Sequence, residues 1–413
     1  MSTDRTRRFV LPSVQELNKG QDAALALPLQ GAHLIIGGPG TGKSVVALLR
    51  ARRLTEEIGH KRIRFLTFNR LLEASSRHLF GKGQLLDSRT LETWFRAVWR
   101  DAFSSEVPKL PPKPGATFRE VDWQGVGDTI GRGDYALLSD RYRNLPQLVI
   151  DEGQDMPLAF YQALVNLGFE NFYVVADQNQ QMHPQTCSTR QDIEIAFGLE
   201  PSETPELLFN YRNTRRIAQL ALHFYDGDPA SPPPQLPPAK PQALTPELWH
   251  YNVRGGLSLD DLATSILQLS DRDPKKLIGI VTPNNKVRQK FNDALCNANP
   301  ALDHGRPPLG TYAAESDIDL DFGQGGIMVI NAHSCKGLEF DTVILADIDE
   351  HQPQNRKVLM KRFYVMVTRA RDQVILLRCG VERRLISELL PSDPGVLERP
   401  AEESPVLDDE IPF

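Results

Sequence analysis

The stretch "HLIIGGPGTGKSVVALLRARRL", residues 33–54, decides the fold class. An apolar run ends in a glycine-rich turn, Gly37 to Ser44, that satisfies G-x4-G-K-S, and a helical pattern follows at once. Gly37, Gly40 and Gly42 let backbone N–H groups turn inward around phosphates, and the following helix adds its positive N-terminal end. In that setting Lys43 reaches the outer phosphates of a nucleoside triphosphate, and Ser44 offers its hydroxyl to Mg²⁺. A plain glycine turn with a surface lysine is the bland alternative. It does not account for a strand on one side and a helix on the other, so a nucleoside triphosphate and Mg²⁺ are the expected cofactors.

Similar strands recur outward from this loop. "RIRFLTF", "QLVIDE" and "NFYVVAD" belong with "HLIIGG", and "LIGIVTP", "GIMVINA", "DTVILAD" and "QVILLRC" form a second series. Near-continuous apolar strands separated by helical patterns imply parallel sheets covered on both faces. The expected fold is therefore α/β with two lobes, residues 1–205 and 206–390. A small insert is expected near 96–146, and a proline-rich segment lies at 228–241. Proline excludes both this segment and "VPKLPPKPG" at 107–115 from helices and central strands.

With 413 residues, 40% hydrophobic and 24% charged, the composition is globular, and no run approaches the roughly 18 apolar residues of a membrane span. The N-terminus lacks a secretory apolar block, so the expected location is the cytoplasm. Four scattered cysteines, without a CxxC, suggest neither a zinc site nor a disulfide framework. The net charge of −6 is uneven. Seven acids from Asp393 to Glu410 face only Arg399, and without that segment acids and bases balance.

"LVIDEGQD" places Asp151 and Glu152 at the end of an apolar strand, where one acid can hold Mg²⁺ and its neighbour can activate water. This sequence resembles the DExQD motif of superfamily 1 helicases of the UvrD/Rep/PcrA group, and further motifs follow in that family's order across about residues 17–378. "LNKGQ" resembles the Q motif, which implies that Gln21 reads the adenine edge. "FLTFNR" implies that Thr67 and Phe68 line a single-strand path, and "RTLETWF" puts Thr90 near phosphate. "VVADQNQ" makes Gln180 the residue coupling γ-phosphate to the strand. "LLFNYRNT" and "KRFYVMVTRAR" supply Arg212 and Arg369 as two arginine fingers. "NAHSCKGLEFDTVIL" implies Gly337 and Glu339 at the nucleotide, with His333 and Lys336 on the nucleic-acid track.

The resemblance implies two RecA-like lobes and a 3′-to-5′ motor on single-stranded DNA, with RNA as the alternative polymer. Two arginines brought by one lobe to a phosphate held by the other would stabilise transition-state charge only on closure. Alone, Arg212 reads equally well as a surface residue. His183 lies in "QMHPQT", which replaces the family's aromatic stretch and leaves the base-stacking pair open. Trp94 and Phe95 read equally as stacking platforms or as core. The spacing leaves no room for a full 2B domain, so two outputs stay open: translocation, or a nucleotide-gated recruitment module working with a partner such as a nuclease.

Residues 391–413, acidic and rich in proline, are expected to form a disordered tail. "DDEIPF" resembles the C-terminal tip of bacterial single-stranded DNA-binding protein, SSB. The resemblance implies that Asp408, Asp409, Glu410, Ile411, Pro412 and Phe413 dock on proteins with SSB-tip pockets. Acids would meet a basic rim and Phe413 an apolar pocket.

Overall fold

The computed structural model describes residues 4–7, 12–68, 87–112, 119–133, 147–180, 187–225, 232–252, 257–312, 323–351, 355–379 and 385–399. His183 and the tip Asp408–Phe413 lie outside these residues.

The first lobe begins with α1 (Lys19–Ala26), β1 (Ala32–Gly37), α2 (Lys43–Ile58), β2 (Ile63–Thr67), β3 (Ser88–Thr90) and α3 (Leu91–Phe103). It continues with α4 (Trp123–Gly131), β4 (Gln147–Ile150), α5 (Leu158–Asn166), β5 (Phe172–Ala176), α6 (Arg190–Phe197) and β6 (Glu206–Leu207). Its strands form one parallel sheet in the order β3-β2-β4-β5-β1-β6. Side chains alternate across that sheet. Ile35 packs with Val46, Leu49 and Leu54 of α2, whereas Leu34 and Ile36 join the core beneath α3, α4 and α5.

The second lobe contains α7 (Arg215–His223), β7 (Glu247–Tyr251), α8 (Leu259–Arg272), β8 (Leu277–Thr282), α9 (Asn285–Asn297) and β9 (Leu309–Thr311). It then runs through β10 (Gly326–Asn331), β11 (Phe340–Leu345), α10 (Arg356–Val367), β12 (Ala370–Cys379) and α11 (Leu385–Leu389). Its parallel sheet has the order β7-β12-β11-β8-β10-β9, with α8 and α9 on one face and α7, α10 and α11 on the other. The two parallel sheets expected from the apolar runs are both present.

The lobes share a local device. β4 leads into Glu152, a non-glycine residue in the left-handed region with φ +58°, and then a 3-10 turn over Gly153–Asp155. In the second lobe β11 leads into Asp347, φ +46°, and a 3-10 turn over Ile348–Glu350. Such backbone costs of order 1–3 kcal/mol and persists only where its surroundings hold it. Asp347 is held by the Tyr251 hydroxyl and the Lys290 ammonium.

Several boundaries differ from the sequence reading. Residues 206 and 207 pair with β1, so the first sheet extends past 205. Asp4–Arg7 instead belong to the second lobe: Thr6 bridges Gln324 and Arg7 pairs with Asp341 at 3.0 Å, whose carboxylate also accepts from Leu277 N. The described parts of 96–146 pack into the first lobe's own core, Trp99 and Val126 being buried. The chain does not leave the body at 391. Leu397 is fully buried in the second core and Leu248 N donates to Glu398 O at 2.8 Å, because an apolar residue within this acidic stretch finds a place beside β7. Among the described residues, no helix is long and apolar enough to cross a membrane.

Candidate nucleotide site

In an open parallel sheet the loops at the carboxyl ends of the strands make the binding edge. Here the loop after β1 carries the glycines and leads into Lys43 at the start of α2, the loop after β4 carries Asp151 and Glu152, and the turn after β5 carries Gln180. A cavity of about 420 Å³ opens on that edge, lined by Gln21, Lys43, Ser44, Glu152, Gln180 and Tyr211, and by Arg212, Gly337, Glu339, Arg369 and Arg371 from beyond the first lobe.

The phosphate loop has the geometry its sequence requires. Gly40 and Gly42 are left-handed, φ +74° and +86°, where a side chain is strained and would also strike Asn210 or Gln21. Gly42 caps α2 without a side-chain acceptor, so the first N–H groups of a 16-residue helix receive no side-chain cap at the cavity. Lys43 Nζ donates to Gly38 O at 2.8 Å and pairs with Asp177 at 3.1 Å. Ser44 lies close enough to Asp151 to favour its ionised form, which brings the two expected Mg²⁺ ligands near one another. Burial, with Glu152 alongside, raises the Asp151 carboxyl to about 6. Glu152 differs: burial would raise it, but the charges of Lys336, then Lys43 and Arg369, outweigh this and hold it below the usual carboxylate range.

A buried polar chain joins the lobes at this point. Gln180 Nε2 donates to Asp177 at 2.6 Å, and Gln180 Oε1 accepts from Arg369 Nη2 at 2.8 Å. Lys336 Nζ donates to Asp155 at 2.5 Å and to Gln180 O at 2.6 Å, and lies 3.8 Å from Glu152. Burial would lower the Lys336 ammonium, but Asp155 and Glu152 hold it above its ordinary range. Gln154 ties the set together, donating to Glu152 at 2.6 Å and accepting from Asp177 N at 2.9 Å. Arg212 pairs with Glu339 and donates to Thr368 O at 3.3 Å.

The structure therefore gathers Gln21, Gly40, Gly42, Lys43, Ser44, Glu152, Gln180, Arg212, Gly337, Glu339 and Arg369 around one cavity, with Asp151 beside Ser44. Gly37 closes β1 beneath them. Gln21 is not held open for a base: its side chain accepts from Asn18 N in a capping box and donates to Thr41 O at 2.9 Å, bracing the loop. Tyr211, which carried no role in the sequence reading, lines the cavity while 57% exposed and offers an aromatic face there. Gln154 and Asp155 were also missed as site residues, although their fixed places in Asp-Glu-Gly-Gln-Asp were the available signal.

The expected nucleic-acid residues fare differently. Lys336, expected on the nucleic-acid track, is only 2% exposed, its ammonium held by Asp155 and Gln180 O with Glu152 3.8 Å away. Thr67 is fully buried at the end of β2. Thr90 caps α3, accepting from Thr93 N. Trp94 and Phe95 are core, packed with Phe169 and Phe160 respectively. Phe68 and His333 are exposed.

Comparison with known proteins adds a family match within the second lobe. Residues 326–377, from β10 into β12, match the UvrD-like helicase C-terminal domain family. Among curated proteins, none matches the chain. Among solved structures, the C-terminal domain of a possible DNA helicase from Lactobacillus plantarum WCFS1 is 16% identical at a TM-score of 0.33, covering 46% of this chain and 98% of that one. The PRRSV helicase is 15% identical at a TM-score of 0.37, covering 89% of this chain and 56% of that one. The matched segment holds His333, Lys336, Gly337, Glu339 and Arg369, so the part of the second lobe that faces the nucleotide cavity is similar to UvrD-like helicases.

Proposed function

We propose that this chain is an ATP-hydrolysing motor of the superfamily 1 type, acting on single-stranded DNA with 3′-to-5′ polarity. The observation that carries the reading is the unbroken chain Lys43–Asp177–Gln180–Arg369, which runs from the phosphate loop into the other lobe. Bound ATP with Mg²⁺ supplies the scissile phosphoanhydride and the negative charge that these cations answer. The residues present fit that cargo: the glycine cradle, the uncapped helix end and the Ser44–Asp151 pair are in place.

Every cation in the site already has an internal anion or dipole. Lys43 rests on Asp177 and Gly38 O, and Arg212 rests on Glu339. Binding of phosphate would thus exchange partners already made of charge, which limits the desolvation cost. Glu152, ionised and steered by Gln154, takes the proton of the attacking water. Arg212 and Arg369 meet the charge that develops on the transferred group. Because Arg369 is bonded to Gln180, whether that arginine points at phosphate depends on how the lobes are seated. Chemistry and lobe movement become one coordinate.

Single-stranded DNA is expected to raise ATP turnover at least about tenfold, and Lys43→Ala should remove turnover with or without DNA. Equal wild-type rates in the presence and absence of single strands would sink the motor reading and favour a nucleotide-gated switch. We assign residues 408–413 to partner docking. Deleting them should abolish binding to a protein with an SSB-tip pocket in a pull-down and leave DNA-stimulated turnover intact; undiminished binding would overturn that assignment.

A further inference from the structure

The segment Pro232–Pro238, "PPPQLPP", has no role in the chemistry above, yet it lies against the phosphate loop. A Cβ built on Gly38 would come within 2.5 Å of Pro234 Cδ and 2.9 Å of its Cγ, and its three nearest neighbours all belong to Pro234. Unlike Gly40 and Gly42, Gly38 is outside the left-handed region, so its need for glycine is steric and comes from that ring. Gly38 also supplies the carbonyl that accepts from Lys43 Nζ and from the Thr41 hydroxyl, each at 2.8 Å. Pro234 thus packs on the residue that sets the resting position of the catalytic lysine.

The same segment is anchored on both sides of the site. Gln235 N donates to Leu208 O at 2.7 Å, in a parallel bridge with Phe209 just before Arg212. Pro237 O accepts from Arg215 of α7 at 3.3 Å. Between these points a crevice of only about 20 Å³ is lined by Pro39 of the phosphate loop, Pro234, Leu236, Tyr364 and Thr368. Thr368 precedes Arg369, and its carbonyl holds Arg212 and Asn213. Five prolines in seven residues make this contact stiff: each locks its φ, and the free chain has little entropy to lose on docking.

We propose that Pro232–Pro238 is a strut that sets the phosphate loop against the arginine-bearing lobe, with Pro234 as a positioning residue for nucleotide binding. The proposal rests on the nucleotide reading above and adds to it the segment that fixes the loop. No residue of the strut lines the nucleotide cavity. Its effect passes through Gly38 to Lys43, so it should appear in KM and nucleotide affinity more than in kcat.

The test is a four-member cycle in the full chain: wild type, Gly38→Ala, Pro234→Gly and the double variant. Each is titrated with a fluorescent ADP analogue plus Mg²⁺ and assayed for ATP turnover, with thermal unfolding confirming that all four fold. Gly38→Ala alone should weaken binding by about tenfold or more, and Pro234→Gly by about threefold with kcat nearly unchanged. With the ring gone, Gly38→Ala should cost little more, so the double variant should match Pro234→Gly within about twofold. Multiplicative losses in a wild type that binds nucleotide would overturn the strut and leave the nucleotide site standing. A wild type that binds no nucleotide would instead sink the nucleotide reading itself.

Discussion

Glu152→Gln is expected to retain nucleotide binding within a few-fold while turnover falls by about 10³, within the range that general bases contribute. The substitution keeps the volume of the side chain and removes only its capacity to take a proton. Glu152 is suited to that task by position: it sits in the left-handed turn after β4, 4% exposed, with Gln154 donating to one carboxylate oxygen and the Lys336 ammonium 3.8 Å away. Lys336, Lys43 and Arg369 hold it below its ordinary range, so it is fully ionised at neutral pH, and protonation of this group does not limit the rate until well into acid. Single-turnover hydrolysis measured beside nucleotide titration separates the two effects. Hydrolysis at the wild-type rate would remove Glu152 from the mechanism, and the water would need another base.

Arg369→Ala should have a comparable effect by a different route. Arginines that meet γ-phosphate charge contribute about 10³–10⁵ in kcat, and a loss of about 10³ is expected here. The residue is 1% exposed and lines the cavity with Glu152 and Lys43. Its guanidinium is shared between Val365 O at 3.0 Å and Gln180 Oε1 at 2.8 Å. Removing it also cuts the link from the Gln180 side chain to the second lobe, so any residual turnover should no longer respond to single-stranded DNA. Arg369→Lys should recover less than about tenfold, since a point ammonium cannot serve both Gln180 and phosphate as the planar fork does. A variant that kept a third of the wild-type turnover, or stayed DNA-responsive, would show that closure brings another cation.

These expectations come from different depths of information. The glycine-rich turn could be read from eight residues because turning the backbone is a local job, done here by the left-handed Gly40 and Gly42. The parallel sheets were legible because strands buried on both faces must be apolar throughout, as "QLVI" and "FDTVIL" are. Partners across the lobes were not. Nothing in "CKGLEF" says whether Lys336 faces a nucleic-acid backbone or three buried acceptors, and only the packing of the second lobe on Asp155 and Gln180 decided it. For Trp94 and Phe95, an amphipathic helix pattern fits core and stacking face alike until α3 is laid on the sheet. The acidity of the last 23 residues concealed Leu397, because composition averages over a segment while burial acts on single side chains.

By itself, then, the amino-acid order determined the glycine-rich turn between strand and helix, the two parallel α/β layers and the identity of the acids and arginines, all properties of short runs with local geometry. Only the tertiary structure decided that Gln21 braces the loop instead of standing open, that Lys336 is buried against Asp155 and Gln180, and that a proline segment nearly 200 residues downstream presses on Gly38. Those facts are contacts between elements remote in the chain. They depend on how two sheets and their linker settle against one another, which no local pattern encodes.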